Sequence, residues 1–355
     1  MPRSIENNHL NVLDRDSILE FLRAMDKEPL LEDIRMLATR LKKLSETSSW
    51  DSIPDPGISK QHLESDLDQI IEAYSIERTK YYVRRLIKSL TVIRKTSYSD
   101  INLNRWKEYD DILTDSLWIE KKRDRSYGHN SDYWGNFIPQ IPNQMIRRFT
   151  REGEWVLDTF SGSGTTLLEC RKLSRNGIGI DISAYAVEIA RGNLRKMEQE
   201  TGTTAEVVIA DSTCANFSEI LGGFGIKKVQ FVMMHPPYWD IIKFSKDEKD
   251  LSNSISIEDF LRGIRKVASE AFRVLDRGRY LALVIGDKYS DGEWIPLGFM
   301  CMNALMEEGY RLKSIIVKNF ESTRGKQKQR DLWRYRALLG GFYVFKHEYI
   351  FLFQR

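Results

Sequence analysis

One stretch limits the folds open to this chain more than any other: Val156-Leu-Asp-Thr-Phe-Ser-Gly-Ser-Gly-Thr-Thr-Leu-Leu-Glu-Cys170. It starts as a short apolar run and passes through Gly- and Ser/Thr-rich residues. It then resumes with apolar residues at helical spacing, Leu167, Leu168 and Leu173. That order predicts strand, tight turn and helix start. Gly162 and Gly164 carry no Cβ, so a ligand can approach backbone N–H groups at the helix start. Asp158 falls at the carboxyl end of the strand, where an open α/β sheet places its ligand. A Gly-x-Gly alone is equally compatible with a plain strand–turn–helix. A second stretch, Met234-His-Pro-Pro-Tyr-Trp-Asp240, ends another apolar run, Val229 to Met234.

From Trp155 onward the texture alternates. Strands are expected at Trp155 to Asp158, Gly177 to Asp181, Ala205 to Ala210, Val229 to Met234 and Tyr280 to Ile285. Helices are expected at Ser163 to Leu173, Ala184 to Glu198, Ile257 to Leu275 and Leu297 to Glu308, the last ended by Gly309. Repeated β-α-β units predict a doubly wound, mostly parallel α/β sheet with helices on both faces. The last two runs, Leu312 to Val317 and Phe342 to Phe353, have no convincing helix between them and predict an antiparallel hairpin at one end of the sheet.

Residues 1–125 read as a helical N-terminal domain, with 126–355 as the α/β domain. Ser17 to Met25 and Leu30 to Leu44 carry apolar residues at helical spacing, and Ser65 to Ile93 reads as one or two helices. Trp50 to Gly57 is a loop by its prolines and glycine. Between Ile76 and Thr96 stand seven Lys/Arg against one acid, Glu77, with Tyr81 and Tyr82 interleaved. Such a helix suits a phosphate backbone or simply a solvated face. Tyr127 to Pro142, rich in aromatics, Gly and Pro, reads as an ordered loop.

Composition narrows the class. A chain of 355 residues exceeds the usual single domain. A net charge of only +3 excludes a generic polyanion binder, so a nucleic-acid surface must come from local clustering. No apolar run approaches the ~20 residues of a membrane helix, and Met1 to Glu6 lacks an apolar signal core. Cys170, Cys214 and Cys301 are far apart and odd in number, which suits buried thiols in a reducing cytoplasm rather than disulfides or a metal site.

Asp158-Thr-Phe-Ser-Gly-Ser-Gly-Thr-Thr166 resembles the S-adenosylmethionine-binding motif of the amino-group DNA methyltransferases. His235-Pro-Pro-Tyr238 resembles their (Asp/Asn/Ser)-Pro-Pro-(Tyr/Phe) catalytic motif. The resemblance covers roughly Tyr127 to Arg355. It implies the class I methyltransferase form of the doubly wound fold, S-adenosyl-L-methionine as cofactor and no metal. Cofactor contacts are then expected from Asp158, Phe160, Gly162, Gly164, Thr165, Asp181 and Asp211. Of these, Asp181 would take the ribose hydroxyls and Asp211 the adenine amine, although an acid before Ser-Thr also suits a helix cap. Phe137 to Pro142 occupy the place of a motif that closes over the methionine end.

Catalysis is expected at His235, Pro236, Pro237 and Tyr238. An exocyclic amine is a poor nucleophile, so acceptors must be aimed at its N–H groups. The Pro236 carbonyl is one. His235 stands where the family has Asp, Asn or Ser, and only a neutral imidazole accepts. Tyr238 would stack on a flipped base. Lys318, Arg324, Lys326, Lys328, Arg330, Arg334 and Arg336, interleaved with Trp333 and Tyr335, form a basic loop expected to contact phosphates; a solvated loop is the plainer alternative. No cysteine follows a proline, so the nucleophile of the cytosine-C5 methyltransferases is absent.

The leading expectation is methyl transfer to adenine N6 or cytosine N4 of double-stranded DNA. A cognate restriction or defence component is a partner consistent with it. An RNA enzyme of the transfer-RNA guanine-N2 type, and a nucleic-acid-binding module that has lost catalysis, are the alternatives. Target base, recognition sequence and oligomeric state are not encoded in any motif quoted above.

Overall fold

The computed structural model describes residues 13–47, 59–120, 122–124, 135–197, 202–320 and 330–355. The chain forms two compact units, residues 1–97 with 101–111, and residues 98–100 with 112–355.

The first unit is helical. Its helices are α1 (Arg15–Lys27), α2 (Leu31–Thr47), α3 (Lys60–Glu72) and α4 (Ile76–Thr91). Asp14, Ser59 and Ser75 cap α1, α3 and α4 by accepting from the N–H groups of Ser17, His62 and Arg78, which satisfies orphan donors of each first turn. Ile18, Leu22, Ile34, Leu41, Leu67, Ile70, Val83 and Leu86 make one buried cluster among these helices. The basic run on α4 is partly neutralised: Arg84 pairs with Asp26, and Arg85 pairs with Asp66. After α4 the chain is mostly irregular, so the helical stretch expected to reach residue 125 ends at Thr91 apart from a short 3-10 turn, Leu103–Glu108.

The second unit is built on an eight-stranded sheet. In chain order its elements are β1 (Leu117–Trp118), α5 (Gln140–Phe149), β2 (Trp155–Asp158), α6 (Thr165–Lys172), β3 (Asn176–Asp181), α7 (Ala184–Arg195), β4 (Ala205–Ile209), α8 (Phe217–Gly222), β5 (Val229–Met234), α9 (Ile257–Val274), β6 (Leu275–Ile285), a small hairpin β7 (Lys288–Ser290) and β8 (Glu293–Ile295), α10 (Leu297–Glu307), β9 (Arg311–Asn319), α11 (Arg330–Gly340) and β10 (His347–Gln354). The spatial order is β1-β9-β10-β6-β5-β2-β3-β4. The pairs β2–β3, β3–β4, β2–β5 and β5–β6 are parallel. β10 runs antiparallel to both β6 and β9.

Alternate strand residues feed opposite faces, as the two-residue period requires. Leu157, Val232, Met234, Leu281, Leu283, Phe351 and Phe353 pack with α9 and α10. Val156, Phe231, Met233, Ala282, Val284, Ile350 and Leu352 pack with Ile141, Met145 and Phe149 of α5. Strands buried on both faces read as unbroken apolar runs, which is why β5, β6 and β10 stand out in the sequence.

The expected antiparallel hairpin lies at one end of the sheet, with the two-residue β1 paired beside β9. Two other expectations need correction. A helix, α11, lies between β9 and β10 where a loop was expected. β10 begins at His347, not Phe342, because residues 342–346 make no ladder.

A candidate active site at the carboxyl ends of the strands

Strand order reverses between β2, whose crossover leads outward to β3 and β4, and β5, whose crossover leads the other way to β6. A crevice opens at such a switch point. It is a cavity of about 1030 Å³ that both sequence motifs line.

On one side lies the turn between β2 and α6. Gly162 (φ 51°) and Gly164 (φ 85°) both adopt left-handed backbone, which glycine adopts without strain. The turn sits tightly on β3, because a Cβ on Gly179 would lie 2.4 Å from Ser161 Oγ. Thr159, Phe160, Ser161, Gly162 and Thr165 face the cavity. Asp158 does not reach the cavity lining and is fully buried. Its Oδ1 accepts from Phe160 N at 3.0 Å, and its Oδ2 has no hydrogen bond. The Thr166 hydroxyl is near enough to hold the carboxyl pKa down somewhat, yet outside hydrogen-bond geometry. Burial wins, and the Asp158 pKa is raised to about 6.

Asp181, at the end of β3, lines the cavity. Its two oxygens accept from Gly162 N (2.8 Å) and Ser183 N (2.9 Å). Burial pushes its pKa up. Each carboxylate oxygen retains acceptor capacity toward the cavity. Asp211, after β4, also lines it; its Oδ1 accepts from Thr213 N and Thr213 Oγ1, both at 2.8 Å. It therefore fixes its own turn while facing the same space; it is not a helix cap, since the following helix, Phe217–Gly222, is capped by Asn216. Asn136 donates to Ser163 Oγ at 2.6 Å and ties the chain before α5 to the glycine turn. Gly turn, two cavity-facing carboxylates and a buried, unpaired carboxylate oxygen behind them fit a cationic, hydroxyl-bearing nucleoside such as S-adenosylmethionine.

On the other side is the turn after β5. His235 and Tyr238 are half-buried and line the cavity with Pro236 and Pro237. The His235 ring meets Phe137 edge-on at 4.6 Å and Tyr238 edge-on at 5.7 Å. Burial pushes the His235 pKa down to about 4; Lys318 lowers it further and Glu348 opposes both. The imidazole is thus neutral near pH 7 and keeps a lone pair. Trp239 follows in left-handed backbone (φ 51°), a strained state for a bulky side chain. It is held by its Nε1 donating to Ser254 O at 3.0 Å and by Lys288 Nζ, 4.0 Å over the ring. Lys288 also pairs with Asp240.

The basic set divides. Arg324, Lys326 and Lys328 lie outside the described residues, as does the side chain of Arg330. Arg334 and Arg336 are exposed on α11, which borders the cavity through Trp333. Lys318 is a correction: only 5% exposed, it donates to Glu348 Oε1 at 3.0 Å and is not free for a phosphate. Sequence reasoning missed Glu348, which accepts from Tyr238 Oη at 2.8 Å. Its signal was an acid at the head of the apolar run Tyr349 to Phe353. The cysteines also divide, with Cys170 and Cys301 buried and Cys214 exposed. Among the described residues there is no metal-binding cluster of His, Cys, Asp and Glu. No described helix is long and apolar enough to cross a membrane.

Comparison with known proteins agrees with this geometry. Residues 56–192 and 229–355 match the profile of the N6/N4 DNA methylase family. The match begins well before Tyr127, where the sequence resemblance was placed, and takes in α3 and α4. Asp211 lies in its gap. The chain is 29% identical over 166 residues to the type II methyltransferase M2.DpnII of Streptococcus pneumoniae, covering 45% of this chain and 53% of that one. It is 38% identical over 86 residues to the type II methyltransferase M.MjaII of Methanocaldococcus jannaschii, 24% of this chain and 16% of that one. A tRNA (guanine(10)-N2)-dimethyltransferase of the same archaeon is 23% identical over 248 residues, 66% of this chain and 64% of that one. The chain therefore spans about half, or much less, of the type II relatives named here. With 264 of 355 positions inside the family profile (137 in the first segment and 127 in the second), the chain belongs to the N6/N4 DNA methylase family of S-adenosylmethionine-dependent methyltransferases.

Proposed function

We propose that the protein methylates an exocyclic amine, adenine N6 or cytosine N4, of a base turned out of double-stranded DNA. One observation carries this reading: the glycine turn with Asp181 and the His235–Tyr238 turn line a single cavity. When bound, S-adenosylmethionine supplies a methyl group on a positively charged sulfur, with the thioether as leaving group. The glycine turn and Asp181 would hold the cofactor, and Asp211 would face its adenine.

The residues of the second turn treat the amine. The Pro236 carbonyl and the neutral His235 ring offer acceptors for its two N–H groups, which favours the pyramidal, nucleophilic form. As the N–C bond forms, the amine becomes cationic and loses one proton, which His235 would take. Tyr238 offers a ring for stacking. Tyr289, stacked on Phe342 at 3.9 Å, and Phe345, tilted on Trp294 at 4.2 Å, add aromatic wall to the same cavity. Such rings suit an unstacked base. Outside, Arg334 and Arg336 on α11 are taken to contact phosphates, and the basic face of α4 is a second candidate. A cognate restriction or defence component remains the partner this reading favours.

The test incubates purified protein and S-adenosylmethionine with unmethylated double-stranded DNA or with unmodified tRNA, then identifies nucleosides by mass spectrometry. N6-methyladenine or N4-methylcytosine in the DNA is the expected product. N2-methylguanine in the tRNA would establish the RNA reading instead, and no product in either would leave a binding module.

A further inference from the structure

Tyr238 follows two prolines, and its ring could still turn about two side-chain torsions. Three contacts stop it. Its hydroxyl donates to Glu348 Oε2 at 2.8 Å. A Cβ on Gly286, at the end of β6, would fall 2.9 Å from its Cε2, so the ring uses the space that glycine leaves. The His235 ring meets it edge-on at 5.7 Å. Glu348 is itself fixed: Lys318 Nζ donates to its other oxygen at 3.0 Å. The two residues face each other directly across the β9–β10 ladder. Glu348 is 7% exposed and Lys318 is 5% exposed. A second acid, Glu120, also lies beside Lys318, whose charge partly offsets the effect of burial on it.

We propose that Glu348 is the positioning residue for Tyr238, with Lys318 as its counter-ion, and that the pair sets the ring plane against which the target base stacks. The inference rests on the amine-methyltransferase reading of this site. The physical reason for a carboxylate here is the strength of its bond. A charge-assisted acceptor holds a phenol O–H more firmly than a neutral one. A buried carboxylate is tolerable only with a partner, and β9 supplies that partner in register. The phenol is a donor in this arrangement, never a base: burial and Glu348 both push its pKa well above the usual value. Glu348 acts through the tyrosine and need not touch the base.

The test is a cycle of Tyr238→Phe, Glu348→Gln, Glu348→Ala and the Tyr238→Phe/Glu348→Gln double variant of the full chain. Single-turnover transfer of tritiated methyl to unmethylated genomic DNA is read beside cofactor affinity and Tm. Glu348→Ala should slow transfer by about tenfold or more, the worth of one charge-assisted hydrogen bond, with cofactor affinity unchanged. Glu348→Gln, which keeps an acceptor, should recover part of the loss. In the Tyr238→Phe background Glu348→Gln should add nothing, because the two act through one bond. Independent, multiplying effects would overturn the proposal, and so would a wild-type rate in the alanine variant. A second readout does not depend on catalysis: 3-fluorotyrosine at position 238, followed by fluorine NMR. Glu348→Gln should shift or broaden that resonance in a protein of unchanged fold, and an unmoved signal would overturn the proposal. If the wild type transfers no methyl to DNA, the DNA reading falls, while the resonance still decides the role of Glu348.

Discussion

The proposed role of His235 needs a lone pair, and an imidazole shielded from water keeps one. Protonation would turn the acceptor into a donor, so transfer should fall only as pH drops toward the pKa of about 4. A rate that is flat down to about pH 5 checks this; a midpoint near 6.5 would show an ordinary, solvated ring. His235→Asn should keep far more activity than His235→Ala, because the amide still accepts. The same shift affects stability. The unfolded imidazole takes its proton near 6.5 and the folded one only near 4, so between them the unfolded state binds more protons and stability falls as pH falls. Asp158 acts oppositely, since its folded pKa of about 6 lies above the unfolded value and its contribution is lost as pH rises. The clean measurement is therefore the difference in Tm between wild type and His235→Asn from pH 7 to pH 4, which should shrink toward acid. Asp181→Ala should weaken S-adenosylmethionine binding by about tenfold, ~1.4 kcal/mol. Calorimetry on the folded variant reads it, and unchanged affinity would remove Asp181 from the site. These residues could be singled out in the chain because each sits at a strand end inside a short motif. The pairing of Glu348 with Lys318 could not, because it comes from a ladder register linking positions 30 apart.

Among the elements, α11 presents a largely exposed apolar surface. Tyr335 is 63% exposed, Leu338 73% and Leu339 75%, while Trp333 reaches the cavity. If the helix lies on DNA, Arg334→Ala with Arg336→Ala should flatten the salt dependence of DNA binding by roughly two units of slope and leave cofactor affinity alone. An unaltered slope would turn attention to α4. At the other side of the cavity, β3 and the glycine turn are packed too closely for any side chain at Gly179. Gly179→Ala should cost about 1–3 kcal/mol through overpacking, measured by urea unfolding. The alternating strands and helices were legible because the central strands carry short apolar runs, such as Val229 to Met234 and Tyr280 to Ile285. α11 was not, because its apolar residues are exposed and give no buried face for a period to mark. The hairpin β7–β8 is too short to register at all.

Taken whole, the proposed site draws on one of the two units. Among the described residues, every one lining the cavity lies at position 120 or later. The fragment 98–355 should therefore bind S-adenosylmethionine with an affinity within about threefold of the full chain, and calorimetry on the two proteins decides it. The order of strands has another consequence. β10 is a middle strand, inserted between β6 and β9 after both have been made. While a ribosome is still adding residues 320–346, two strand edges wait unpaired, open to any neighbouring strand. The nascent protein thus passes through an interval in which sticking to another chain competes with closing on itself, and a chaperone that shields those edges would raise its yield without touching the finished enzyme.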